Sequence, residues 1–419
     1  MEPTEIYKEK LARLEAVIKG KTPDRTPMTS MVSTFHAHYS GYKSNDVIYD
    51  YNKNKECVIN FLKDFDLDSL TVLTGLEATF MSISLMKNAP GVIPSARFMQ
   101  PYFHDALGDI FTKWPGMELG DDTAPQFIGS EIMKLDEYDQ FIANPTDFLN
   151  TVALPRICKN LSNPGSAQAI GAMAKYGAEL QRFGAAQGEL IQAMATECGV
   201  PTFPTAWSYA PLDFLGDFMR DIKHIVLDFY RHGDKVKEAT KAITPYLIES
   251  AKVTGQVPPE MQKALGTDVV QCFFPLHLNE YLNPKLYDEY YWPALREVLE
   301  EVIKMGQTPF ILFEGRHDAH LESLLELPKG KVIGVFDKTD PRKVREVIDD
   351  HVILSYGAPN SLLIGGTPEK VDSYMKSMLD DCKDGGMLVY LGVDGGISGD
   401  AKPENVRAAI DAVKKYGTY

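Results

Sequence analysis

Glu314-Gly315-Arg316-His317-Asp318-Ala319-His320 gathers a carboxylate, a guanidinium and two imidazoles directly behind the apolar run 309–313. Carboxyl and imidazole groups at such a place can move protons or hold a borderline metal such as zinc. Glu314 stands first, so it is the primary catalytic candidate; the competing reading is a carboxylate that anchors the Arg316 loop. His317 and His320 share a face if the loop opens a helix, with plain surface histidines as the alternative. Asp337 ends a later apolar run and could bind substrate or orient an imidazole, or it could cap the following turn. His36 and His38 alternate with Phe35 and Ala37, so in extended chain both would point the same way. His277 closes the apolar run 269–274 and Asn279 follows it, as site residues or as a cap. Trp207 and Tyr209 could wall an aromatic pocket, although large aromatics are more often core. His104, His224, His232 and His351 read as structural or surface residues.

Such residues need elements that deliver them to one place, and the C-terminal third supplies a rhythm that does so. Apolar runs at 309–313, 331–337, 352–356 and 386–391 each end in polar residues and alternate with amphipathic stretches at 284–305, 341–348 and 368–382. Short continuous apolar runs are the mark of parallel strands buried on both faces. Strand, polar tip, helix, strand is the plan of a (β/α)8 TIM barrel, whose active site lies at the C-terminal ends of the strands. Earlier units fit the same plan: a helix over 5–20 closed by Gly20, a strand over 28–34 ending at 35–39, an apolar segment 70–73 leading to Thr74-Gly75-Leu76-Glu77, and strands near 201–207 and 269–274. Residues 80–200 read as a helical and loop elaboration, with a loop rich in Pro, Gly and Asp at 115–125 and a long helix over 167–196. The whole chain, 1–419, is expected to form one barrel domain with extra N-terminal helices.

Composition narrows the partners. A net charge of −15 over 419 residues argues against nucleic acid or an anionic membrane, because such surfaces require a basic excess. No stretch approaches the ~20 apolar residues that span a bilayer, and the N-terminus lacks the basic-then-apolar order of a signal peptide. Five scattered cysteines, none in a Cys-x-x-Cys pair, read as reduced thiols of a cytoplasmic protein.

Several stretches resemble the uroporphyrinogen decarboxylase superfamily. They are Lys19-Gly20-Lys21-Thr22-Pro23-Asp24-Arg25-Thr26-Pro27 after the first helix, and Ala210-Pro211-Leu212-Asp213-Phe214-Leu215-Gly216-Asp217 after the Trp207 strand. Gly357-Ala358-Pro359-Asn360-Ser361-Leu362-Leu363, Gly366-Thr367-Pro368-Glu369-Lys370-Val371 and the tail Asp400-Ala401-Lys402-Pro403-Glu404-Asn405-Val406 complete the set. The resemblance implies a (β/α)8 barrel and one of two chemistries: decarboxylation of uroporphyrinogen, or methyl transfer to or from a corrinoid (cobalamin).

The decarboxylase grips its substrate with arginines after the first strand. Here that loop is Ser33-Thr34-Phe35-His36-Ala37-His38-Tyr39 and contains none, and Val393 replaces the histidine of a late Leu-Gly-His-Gly segment. An octa-anionic substrate would then be desolvated unpaired, at a cost on the order of several kcal/mol. Decarboxylation of a smaller carboxylate held by Arg316, and a corrinoid-binding chaperone without chemistry, are the rival readings.

The run from Phe313-Glu314-Gly315-Arg316 to Phe336-Asp337-Lys338-Thr339-Asp340 is similar to methyltransferases that demethylate aryl methyl ethers or other donors. By that resemblance a methoxylated aromatic or another small methylated donor is expected, with the corrinoid on a partner protein. Tyr356 and Asn360 then lie where relatives meet their ligand. Relatives that hold zinc do so with two glutamates and a histidine, at positions that fall here on Leu299, Glu314 and Val335, so only Glu314 survives. Replacement ligands would have to come from His277, His317, His320 or Asp337; otherwise Glu314 or a histidine acts as general acid. The resemblance leaves a homodimer open.

Overall fold

Runs such as Cys272-Phe273-Phe274 and Phe310-Ile311-Leu312 offer apolar side chains to both faces, so they persist as strands only when both faces are covered. The computed structural model, which describes residues 2–31, 33–71, 100–393 and 395–419, satisfies that demand. Its strands in chain order are β1 (Met28–Ser30), β2 (Thr112–Lys113), β3 (Gln126–Phe127), β4 (Thr205–Trp207), β5 (Gln271–Leu276), β6 (Thr308–Phe313), β7 (Ile333–Phe336), β8 (Ile353–Tyr356) and β9 (Met387–Leu391). Seven of them form one all-parallel sheet in the order β1-β9-β8-β7-β6-β5-β4. The segment 68–71 closes it. Thr71 pairs in parallel with Met31 and donates its N–H to Ser30 O at 2.8 Å. On the other side, Ser69 Oγ donates to Pro201 O at 2.9 Å, just ahead of β4. The architecture is therefore a TIM-type α/β barrel. The later part of the expected second strand, together with Thr74-Gly75-Leu76-Glu77 and Asp394, lies outside the described residues.

Helices cover the barrel where the amphipathic stretches predict them, and proline marks the starts. Trp292–Lys304, Pro341–Ile348, Pro368–Cys382 and Pro403–Tyr416 all carry Pro in the first turn, where its missing N–H costs no helical bond. Asp340 and Thr367 cap two of these helices through their side chains.

The chain between the first units and β4 adds a second layer. Its main piece is the 32-residue helix Ala167–Cys198, capped by Ser166 and ended by Gly199 in the left-handed conformation. A Cβ on Gly199 would press on Pro3 O and Ile6, so glycine is required there. The short antiparallel hairpin β2–β3 completes this layer. Among the described residues no helix is long and apolar enough to cross a membrane.

One local expectation fails. Residues 35–39 are not extended; Phe35–Tyr39 is a short helix after β1. Helical residues two apart diverge by about 200°, so His36 and His38 part company instead of pointing together.

Candidate functional site

Glu314 follows the last residue of β6, and its N–H donates to Leu276 O of β5 at 3.2 Å. Two neighbouring strand tips are thereby tied, which brings His277, just past the end of β5, beside the Glu314 carboxylate. His277 Nε2 lies 3.0 Å from Glu314 Oε1, and its Nδ1 lies 2.6 Å from Asp217 Oδ2. Tyr209 OH donates to the same Asp217 oxygen at 3.1 Å. Asp217 sits on the π-helical turn Leu215–Arg220, one helical turn beyond Asp213. Asp213 is fully buried and accepts from the N–H groups of His277 (3.1 Å) and Leu278 (2.9 Å) and from Tyr291 OH (2.6 Å). Asp213 holds the backbone that carries His277, and Asp217 holds its ring. Gly315 makes the tight turn possible: its φ is +66°, and a Cβ there would run into the Glu280 carboxylate.

The charge state follows from these contacts. Burial works against a charge on His277, but Asp217 and Glu314 on its two nitrogens outweigh it and hold its pKa well above the usual imidazole range. His277 is thus an imidazolium at neutral pH, donating to one carboxylate from each nitrogen. Burial, then the nearby Asp217, pushes the Asp213 carboxyl up to about 7. Burial and Asp217 likewise raise the Tyr209 phenol well above its ordinary range.

Glu314, whose side chain is 43% exposed, faces a cavity of about 760 Å³. Its walls come from both layers. β5 and β6 contribute Phe273, Pro275 and Leu312; the elaboration contributes Trp114, Phe127, Phe183 and Gln187. Among the described residues that line it, Glu314 is the one carboxylate, and there is no lysine or arginine. His36 also lines the cavity; burial lowers its pKa to about 4, so it is neutral, and its Nε2 meets Asn54 Oδ1 at 2.7 Å. Asn360 lines it too, fixed by Gly396 O and Ser398 N, each at 2.9 Å.

The other candidates fall elsewhere. His38 turns to Asp122 Oδ1 at 2.8 Å on the outside. Trp207 is buried against Phe273. Arg316 is exposed. Tyr356 accepts from Tyr374 OH at 3.4 Å. Asp337 Oδ2 accepts the Gly315 N–H at 3.1 Å, so it braces the Glu314 turn from behind. Asn279 does the same from the other side, donating Nδ2 to Glu314 O at 3.1 Å. His317 and His320 do share a side, but it faces inward: both are buried, His320 stacks on Tyr287 with ring centroids 3.9 Å apart, and neither lines the cavity. Burial lowers both pKa values, so both rings are neutral.

These details test the donor set that zinc would need. Asn279 Nδ2 faces His317 Nδ1 at 3.4 Å, which makes that nitrogen the acceptor and leaves the ring proton on Nε2, the only nitrogen free for a metal. His320 Nε2 is committed to Leu282 O at 3.0 Å, and both nitrogens of His277 are committed to carboxylates. Leu299 and Val335 are buried apolar residues. Among the described residues no group of three or more His, Cys, Asp or Glu side chains could hold a metal ion. Among the described residues, the side chains around Glu314 are committed to one another and to the backbone and do not present the donor set that zinc takes.

Asp213, Asp217, Asn54 and Gln187 were not singled out from the sequence. For the two aspartates a signal was present: acids four apart inside the apolar stretch Leu212-Asp213-Phe214-Leu215-Gly216-Asp217-Phe218-Met219 must be buried and therefore partnered. Asn54 and Gln187 carry no such mark.

Comparison with known proteins fits this arrangement. The family model described as uroporphyrinogen decarboxylase (URO-D) matches residues 172–416, which carry β4 to β9 and the whole Asp217–His277–Glu314 array. A search of curated proteins finds no match. Among solved structures, a methyltransferase from Methanosarcina mazei superposes with a TM-score of 0.54 at 14% identity, over 96% of this chain and 98% of that one. At that identity the likeness speaks for the fold.

Proposed function

This chain belongs to the uroporphyrinogen decarboxylase family, and from that premise we propose that it is a corrinoid-dependent methyltransferase. It moves a methyl group from a small methylated donor, such as a methoxylated aromatic, to a corrinoid carried by a partner protein. The observation that carries the reading is the hydrogen-bonded array Asp217–His277–Glu314 at the edge of a largely apolar cavity. A decarboxylase for a polycarboxylate would need cations in that lining, and the described lining residues contain none. The URO-D family and the fold of the Methanosarcina mazei methyltransferase support the same choice.

A reduced corrinoid, when bound at the barrel mouth, supplies the nucleophile for the methyl group. The protein's own task is to hold the donor and to neutralise the leaving atom. As the methyl–heteroatom bond breaks, its electron pair stays on the heteroatom. The His277 imidazolium passes its Nε2 proton to Glu314, and Glu314 delivers a proton to that atom. Asp217 keeps the ring oriented and its Nδ1 protonated throughout, the role a buried carboxylate plays beside an acid–base histidine.

The test is direct. Purified protein, reduced corrinoid and a panel of methoxylated aromatics should give the demethylated phenol and the absorbance change of a methylated corrinoid. Release of CO2 from a carboxylate without any corrinoid requirement would instead establish a lyase. Tight corrinoid binding without turnover would establish a carrier.

A further inference from the structure

One side of the cavity is built from the loop 114–125, which joins β2 to β3. Trp114, Ala124 and Pro125 of the loop and Gln126 and Phe127 of β3 line the cavity, while residues 120–126 are exposed to solvent. Backbone pairing secures the base, Thr112 with Phe127 and Lys113 with Gln126. Towards the tip the ties are mostly side chains. Tyr49 OH donates to Pro115 O at 2.9 Å, and Asp122 accepts the Ser44 N–H at 2.9 Å and meets His38 Nε2 at 2.8 Å. One backbone bond joins them, from Asn45 N–H to Asp121 O at 3.1 Å. The remaining tie is Glu118, which reaches His104 on the helix Pro101–Leu107.

His104 repeats, away from the cavity, the arrangement found at His277. Its Nδ1 lies 2.7 Å from Oδ2 of the buried Asp109, and its Nε2 lies 2.9 Å from Oε1 of the half-exposed Glu118. The other Glu118 oxygen accepts the Trp114 N–H at 3.1 Å, so one carboxylate joins the helix to the cavity wall. Burial works against a charge on His104, but Asp109 and then Glu118 outweigh it and raise its pKa above the usual imidazole value. The other described charges nearby have partners of their own. Asp105 on the same helix faces Lys175 at 3.9 Å, and Arg182 lies 4.3 Å over the Tyr102 ring. At the far end of the loop Lys43 faces Asp121 at 3.9 Å, beside the His38–Asp122 pair. The Tyr49 phenol, pushed up to about 12 by burial and then by Glu118, stays neutral.

The contacts also decide which bond gives way when His104 loses a proton. Asp109 is held by the N–H groups of Phe111 and Thr112, both at 2.9 Å, and by the Thr112 hydroxyl at 2.8 Å. The proton that remains therefore stays on Nδ1, and Nε2 turns a lone pair on Glu118. Two acceptors at that distance repel, and the half-exposed Glu118 is the one that can swing into water.

We propose that the loop 114–125 is a strap that shuts the cavity, and that His104 is the positioning residue whose imidazolium holds it shut, so that the cavity opens as pH rises. The device goes beyond methyl transfer and serves any reaction in the cavity. Its sign follows from linkage: the closed strap strengthens proton binding at His104, so the proton favours closure and its loss favours opening.

The test uses the full-length protein and N-phenyl-1-naphthylamine, an uncharged apolar fluorophore, mixed in a stopped flow from about pH 6 to about pH 9. The association rate constant should rise about two- to fivefold over that range, the weight of one partly exposed ion pair. Acrylamide quenching of Trp114, taken as the difference between wild type and Trp114→Phe, should increase over the same range with no ligand present. Glu118→Gln should abolish both rises and keep entry slow, because its amide oxygen can accept from Trp114 while its amide nitrogen donates to neutral His104. His104→Leu should give fast entry at every pH; if that variant fails to fold, Glu118→Gln decides alone. Entry and quenching that do not change with pH in the wild type overturn the proposal. So does a rise that keeps its full size in Glu118→Gln, since another group such as His277 would then be its source.

Discussion

Two buried aspartates, one at each end of the barrel, solve the same problem differently. At the N-terminal end, Asp68 closes the sheet. Its side chain is fully enclosed, takes the Met28 N–H at 2.8 Å and pairs with Arg25 at 2.7 and 2.9 Å and with Arg13 at 2.6 Å. Guanidinium groups stay charged at any accessible pH, so this clamp has one state. At the C-terminal end, Asp217 pairs with an imidazole whose second nitrogen reaches another acid. That cation can lose its proton and regain it. Permanent cations suit the end that holds the barrel shut, and a titratable one suits the end that faces the cavity, in keeping with the division of labour between the two faces of such barrels.

The sharpest break of this contrast is at Asp68. Asp68→Ala strands buried positive charge and cuts a bond to β1, so urea unfolding should show a loss of about 3–5 kcal/mol, with activity falling only as the fold does. Glu314→Gln should do the reverse. Single-turnover methyl transfer should drop by about 10²–10⁴-fold, the range for a lost general acid, with the urea midpoint lowered far less than in Asp68→Ala, because the half-exposed Glu314 is one of two carboxylates on His277. Asp217→Asn should sit between, with a loss on the order of a hundredfold, because the ring loses the group that fixes its orientation and charge. If Asp217→Asn leaves the rate untouched, the array is only structural.

The pH dependence sharpens the comparison further. His277 has a raised pKa in the folded state, so the stabilisation it contributes is complete below about 6.5 and is lost as pH rises through the folded value. The rate should fall on the same alkaline limb, since that proton is the one delivered. Removing one of its carboxylates, in Glu314→Gln, should move the histidine's titration to lower pH, which NMR of the ring resonances would read. Last, exhaustive treatment with 1,10-phenanthroline should leave methyl transfer unchanged; a loss restored by zinc would show that the donor set around Glu314 had been misjudged.

Legibility in the sequence followed the range of the interaction. Strands 309–313 and 352–356 and the helices Pro341–Ile348 and Pro368–Cys382 were readable because apolar runs, prolines and caps act within a few residues. The place of Glu314 at the end of β6 was readable because a strand tip is a local feature. The short helix Phe35–Tyr39 was not, since alternation of apolar residues and histidines over five residues fits either backbone. His317 and His320 misled for a related reason: three-residue spacing gives a shared face but not which way it turns, and packing on Tyr287 turned it inward.

What the chain itself determined is the succession of parallel units and the acid at the end of one of them, because hydrophobic periodicity and turn chemistry are written residue by residue. The tertiary structure alone decided that His277, 37 residues away, would bridge Glu314 and Asp217, 60 residues away on the other side. It also decided that Gln187 of a peripheral helix would complete the cavity. Barrel closure lines up the ends of strands that are distant in sequence, and no local pattern records which side chains that closure will bring within hydrogen-bonding distance.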